Sequence, residues 1–295
     1  MRFDSYHPVI NLLYFSAVLA GTIYFRHPVF VLIALCCGIL WCCMLYGQRG
    51  IGFSLGMLAL GAAYGVWYAC YHHFGVTVLG YNRIGNAITL ESILYGLLLG
   101  GVLAGVLLWL SCLNAVCTAD KVTFLLGRVW PRLSLFTAIL LRLAPRVRVE
   151  CHRIADARAC IGYSIHQGSI PIRVRNYMRI LSMTLTWLTE SIVTTSDSMR
   201  ARGYTLRRRT AYSIYRFQDR DRIVLILICT AIAVCLIAVA TGQSFFLWNP
   251  RIVTVAVTPL TYLFYLGYAL LCAMPMLLQL GSALHFRQAR NRIDC

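Results

Sequence analysis

Three groups of side chains in this sequence have types suited to chemistry. Cysteines cluster as Cys36-Cys37 and Cys42-Cys43, histidines pair as His72-His73, and arginines sit between small residues in Ala157-Arg158-Ala159 and Ala201-Arg202-Gly203. Thiolates and imidazoles build metal sites when their spacing makes them converge. The cysteine quartet has no CxxC spacing and no histidine beside it, and it lies inside an apolar run where cysteine packs as a small hydrophobe. Thirteen cysteines, an odd total spread mainly through apolar stretches, argue against a disulfide framework. The histidine pair reads as a polar cap on an apolar run. No metal site and no cofactor are expected.

Nucleotide and covalent chemistry meet a second obstacle. Of 27 basic residues, 26 are arginine, and the single lysine is Lys121. A Walker A loop needs a lysine after a glycine-rich run to hold phosphates, whereas Lys121 follows Ala119-Asp120. Schiff-base chemistry has the same lone candidate. His152 lies near Glu150 and Asp156, but these read as a solvated helix face. The chain is therefore expected not to be an enzyme.

The two arginine tripeptides remain. A planar guanidinium pairs bidentately with a carboxylate, and small neighbours let a helix end sit deep in a partner's groove. A cation near a helix C-terminus also complements the helix dipole.

The elements that position these arginines follow from composition. The 295 residues are 59% hydrophobic, with only 13% charged, too few to cover a soluble body of this size. Runs without Asp, Glu, Lys or Arg cover 9–25, 29–46, 51–71, 93–117, 223–247 and 258–284. A bilayer needs about 20 apolar residues per helix, so six spans are expected. Residues 1–25 are taken as a retained span rather than a signal peptide, because only Arg2, offset by Asp4, precedes the apolar run. No span holds an ionisable pair that could carry protons or sodium. Glycine pairs four apart (52/56, 61/65, 96/100 and 101/105) suit close helix packing.

Net charge is +17, and residues 118–222 hold 19 of the 27 basic residues. Cytoplasmic loops carry the Lys/Arg excess, so this region is expected inside, with both termini. The 47–50 turn falls on the same side, leaving Arg26, Arg83 and Arg251 outside. Three domains follow: spans one to four in 1–117, a cytoplasmic domain in 118–222, and spans five and six with a basic tail in 223–295.

Within that cytoplasmic domain, 133–141 is apolar but too short to span, and suits a helix on the membrane surface whose arginines reach lipid phosphates. Pro145 is expected to open a new helix running to Cys160, and 162–168 is a loop. A longer helix over 171–201 carries Val174, Met178, Leu181, Leu185, Leu188, Ile192 and Met199 as a heptad-like stripe. A seventh span at 180–196 is rejected because Ser and Thr dilute it. Arg207-Arg208-Arg209 and Arg216, Arg220 and Arg222 read as an anchor ahead of span five. Asp219 and Asp221 between them favour that anchor over the alternative, a membrane-anchored arginine-rich domain binding anionic lipid or nucleic acid.

These features together resemble the transmembrane T component of energy-coupling factor (ECF) transporters, the CbiQ-like family. The resemblance rests on His7-Pro8 ahead of span one, Leu141-Arg142-Leu143-Ala144-Pro145, the two arginine tripeptides with Tyr204, and the C-terminal apolar pair. Two departures are visible. Asn11 stands where a basic residue is common, and Ala159 where glycine is often found. The resemblance implies an all-α polytopic membrane protein of about six transmembrane helices with a coupling domain of long amphipathic helices, in a bacterial plasma membrane. It implies an ATP-driven importer of a vitamin, metal ion or other micronutrient. Two cytoplasmic ABC ATPase subunits would dock at Ala157, Arg158, Ala159, Ala201, Arg202 and Gly203. A small membrane-embedded substrate-binding S component would rest on the coupling helices.

Overall fold

The computed structural model describes residues 3–72, 74–81, 87–164, 168–204, 215–248, 253–254 and 258–291. His73, Arg83, Arg207-Arg208-Arg209, Arg251 and Arg292 lie outside the described residues. The described residues form nine α-helices: α1 (Pro8–Tyr24), α2 (Pro28–Tyr46), α3 (Gln48–Tyr71), α4 (Leu90–Val116), α5 (Ala119–Val129), α6 (Pro131–Cys160), α7 (Ile170–Ala201), α8 (Asp219–Ala240) and α9 (Pro259–Asn291). Strands β1 (Val78–Tyr81) and β2 (Ala87–Thr89) pair antiparallel, as do β3 (Phe246–Leu247) and β4 (Val253–Thr254). The chain divides into two compact units, one of Met1–Thr118 with Tyr215–Cys295 and one of Ala119–Ile214.

In the first unit, five helices are long and apolar enough to cross a membrane: Pro28–Tyr46, Gln48–Tyr71, Leu90–Val116, Asp219–Ala240 and Pro259–Leu284. The chain is a multi-pass membrane protein. Six such helices were expected, and α1 is the one that falls short, at 17 residues. Its length is set by two His-Pro steps. Proline at the first helical position is preorganised, and the residue before it is pushed out of the helical region. His7 and His27 therefore become N-caps, their Nδ1 atoms accepting from the backbone N–H of Val9 at 3.4 Å and of Val29 at 3.3 Å. An accepting Nδ1 places the His27 proton on Nε2, which lies 3.3 Å from the Tyr265 hydroxyl.

The expected 47–50 turn contracts to Gly47 alone, since α3 starts at Gln48. Gly47 has φ 61°, a conformation that glycine adopts without a Cβ penalty. The glycine pairs divide by role. Gly61 and Gly65 of α3 pack on Gly100 and Gly96 of α4, where a Cβ on Gly65 would lie 2.7 Å from the Gly96 carbonyl oxygen. Gly101 and Gly105 face Val31, Leu35 and Thr22. A Cβ on Gly52 or Gly56 would meet nothing within 4 Å.

The core of this unit gathers Tyr14, Phe15, Trp41, Leu108, Trp109, Ile228 and Tyr268. Buried polar atoms are tied across it: Tyr14 donates to the Cys272 carbonyl at 3.1 Å, and the Trp109 indole to the Ala34 carbonyl at 3.1 Å. Cys42, Cys112 and Cys272 are buried there as free thiols. Asn11 is fully buried, and its amide meets no hydrogen-bond partner among the described residues. At the start of α4, Glu91 accepts from the backbone N–H of Thr77 at 3.3 Å and its hydroxyl at 2.6 Å, fixing the segment that leads into β1.

In the second unit, α5 packs on α6, with Ser134 donating to the Thr123 carbonyl at 2.8 Å. The helix expected to begin at Pro145 is part of one 30-residue α6. Proline in a helix interior removes one backbone bond and crowds the preceding turn, at about 3 kcal/mol. Here long helical segments on both sides, packed on α5 and α7, outweigh that loss. The loop before α7 is held by Arg173 Nε donating to the Gly168 carbonyl at 3.0 Å and Asn176 to the Ser164 carbonyl at 3.3 Å. The buried face of α7 is Asn176, Ile180 and Thr184. Val174, Met178, Leu181, Leu185 and Ile192 of the heptad-like stripe remain exposed. Amphipathic spacing marked an apolar face correctly but not what covers it.

Candidate functional site

The ends of α6 and α7 are built on one local plan. Gly162 and Gly203 adopt φ 84° and 74°. In α6, Tyr163 N–H reaches the Arg158 carbonyl and Gly162 N–H the Ala159 carbonyl, both at 3.0 Å. In α7, Tyr204 N–H reaches the Met199 carbonyl at 3.0 Å and Gly203 N–H the Arg200 carbonyl at 2.9 Å. Both are Schellman caps, in which a left-handed glycine lets two backbone donors satisfy carbonyls that the helix end would orphan. A Gly-Tyr pair follows each helix for this reason.

The two tripeptides occupy different positions in that shared frame. Arg158 supplies the carbonyl that the Tyr163 N–H binds; the residue in that place on α7 is Met199. Arg202 is itself the C-cap of α7, where α6 has Ile161. Their surroundings differ accordingly. Arg158 is 8% exposed, its guanidinium lies 5.4 Å from the Tyr163 ring centroid, and its Nε finds no acceptor among the described residues. Arg202 is exposed. Ala157, Ala159 and Ala201 are exposed beside them, and Gly203 is half-buried.

Among the described residues, the ion pairs join Arg153 to Glu150 at 3.8 Å and Arg222 to Asp219 at 3.2 Å. Neither Arg158 nor Arg202 pairs with a carboxylate among the described residues. Both ends are thus cationic sites with donor capacity left over, one stacked on an aromatic ring and the other open.

Arg202 also joins a second constellation that sequence reading missed. It lines a groove between α6 and α7 with Arg142, Arg146, Leu135, Ile139, Leu143, Thr194, Thr195, Ser198 and Met199. The signal in the sequence was the spacing of Leu135, Ile139, Arg142 and Arg146 by steps of four, three and four, one face of a helix.

Among the described residues, no three His, Cys, Asp or Glu side chains come together in a way that could hold a metal. Comparison with known protein families and with curated protein sequences finds no match.

Proposed function

We propose that the chain is the transmembrane coupling (T) component of an ECF-type ABC importer for a vitamin, metal ion or other micronutrient. The observation that carries this reading is the pair of Schellman-capped helix ends in one compact unit, each with an arginine that pairs with no carboxylate among the described residues. Two cytoplasmic ABC ATPase subunits dock there and supply the ATP hydrolysis. Ala157, Arg158, Ala159, Ala201, Arg202 and Gly203 form the docking surfaces, with each guanidinium taking an acidic side chain of an ATPase. The offset between the two arginines fits two docking partners that are not required to be identical.

The remaining features suit a subunit that transmits movement. The exposed stripe of Val174, Met178, Leu181, Leu185 and Ile192 on α7 offers an apolar track for a small membrane-embedded S component, which binds the cargo. In this reading α1 is a sixth span. Its 17 residues reach about 26 Å, at the lower limit for crossing a bilayer. Both termini and the coupling domain face the cytoplasm of a bacterial cell, in line with the positive-inside charge bias.

The test is affinity purification of the full chain from its native membrane in mild detergent. Two ABC ATPases and one small hydrophobic protein are expected to co-elute. Recovery of the chain with no ATPase overturns the reading.

A further inference from the structure

We infer that the groove between α6 and α7 binds one anionic phospholipid, its phosphodiester held by Arg142 and Arg146 and its acyl chains lying along the apolar first half of α6. The groove encloses about 570 Å³, within the range of small-molecule sites. No acidic residue lines it, and among the described residues none of its three guanidiniums forms an ion pair. The Thr194 and Thr195 hydroxyls already donate to the carbonyls of Glu190 and Ser191 at 3.0 and 2.6 Å, so the guanidiniums supply the donors for an anion.

The arrangement along α6 selects the kind of anion. The stripe is amphipathic along the helix axis: Leu135 and Ile139 come first, and Arg142 and Arg146 follow on the same face. Beside it, Phe136 is 58% exposed and Leu133, Leu140 and Leu141 are exposed as well. A carboxylate from a protein partner would use the arginines and leave the apolar half uncovered. A nucleic-acid phosphate would do the same and would find only Tyr204 for base stacking. A headgroup with tails matches both halves. This inference does not rest on the coupling reading, whose docking residues do not include Arg142 or Arg146.

The test uses the full chain in neutral detergent, titrated with phosphatidylglycerol and, separately, phosphatidylcholine, with bound lipid counted by native mass spectrometry. One phosphatidylglycerol is expected to be retained in preference to phosphatidylcholine. Arg142→Gln with Arg146→Gln is expected to weaken it on the order of tenfold or more, given the worth of each basic side chain near anionic lipid. Arg148→Gln with Arg153→Gln, the same charge loss on the same helix outside the groove, is expected to leave it unchanged. Glycerol phosphate, the headgroup chemistry without tails, is expected not to displace the lipid. Wild-type affinity in the Arg142/Arg146 variant overturns the proposal, as does displacement by glycerol phosphate at concentrations matching the lipid's own. If the double variant loses its native elution profile, Ile139→Gln, which keeps every arginine, replaces it. Unchanged phosphatidylglycerol affinity in that variant also overturns the proposal.

Discussion

Arg158 stands four residues before the glycine that caps its helix, and Arg202 stands one before its own. In a common helix frame this three-residue offset places their Cα atoms about 4.5 Å apart along the axis and about 60° apart around it. Two tripeptides spelled almost alike therefore present their guanidiniums in different directions. Arg158 is drawn onto the ring of Tyr163, while Arg202 is exposed and lines the groove between α6 and α7. Charge reversal at Arg202 is expected to weaken partner docking through lost contact alone. At Arg158 it also puts a carboxylate in a site 8% exposed, so some loss of thermal stability is expected with it. A melting curve separates the two.

The glycine caps make a narrower prediction. Gly162→Ala places a Cβ in open space but in a left-handed backbone, so strain without clash is expected to cost about 1–2 kcal/mol. Gly162→Asn, which tolerates that conformation better, should recover part of it. Thermal denaturation of the purified chain measures both, and equal stability of wild type and the alanine variant contradicts the cap assignment.

Helix packing in the first unit can be tested the same way. Gly65→Val drives a side chain into the Gly96 carbonyl and is expected to destabilise by several kcal/mol, whereas Gly52→Val meets nothing and is expected to be near neutral. Resistance to detergent-induced unfolding reads out the difference. Similar losses for the two variants would mean that these glycines do not share the α3–α4 interface unequally.

The contrast between glycine pairs marks how far the sequence could be read. Spans were legible because uncharged runs of bilayer length have few other uses. The placement of Gly61/Gly65 against Gly96/Gly100 was not, because a four-residue spacing describes one helix and says nothing of its neighbour. Pro145 misled for a related reason: a local penalty was weighed without the packing that offsets it. The arginine tripeptides were found by composition, but their offset depends on which glycine turns left-handed, and both helix ends contain the same residue types. Arg142 was read only within Leu141-Arg142-Leu143-Ala144-Pro145 and Arg146 was not singled out, since Arg202, which shares their groove, lies 56 residues beyond Arg146.

Acid sensitivity is expected at the start of α2. Burial holds the His27 imidazole below its ordinary value, and its Nδ1 must stay unprotonated to cap the helix. A histidine with a depressed folded-state pKa is bound by fewer protons than in the unfolded chain. Its contribution is therefore complete above about pH 6.5 and declines as the pH falls toward the folded value. Unfolding temperature is expected to drop between pH 7.5 and pH 5.5, and His27→Asn, which keeps an N-cap acceptor, should flatten that part of the profile. An unchanged slope in the variant would place the sensitivity elsewhere.

The central claim, that the ends of α6 and α7 dock two ATPases, is tested most directly by charge reversal at both. The full chain carrying Arg158→Glu and Arg202→Glu is expressed in its native membrane, and the ATPases that co-purify with it are quantified against wild type. The account predicts a chain that still inserts in the membrane and recovers little or no ATPase. ATPase recovery at the wild-type yield would contradict it.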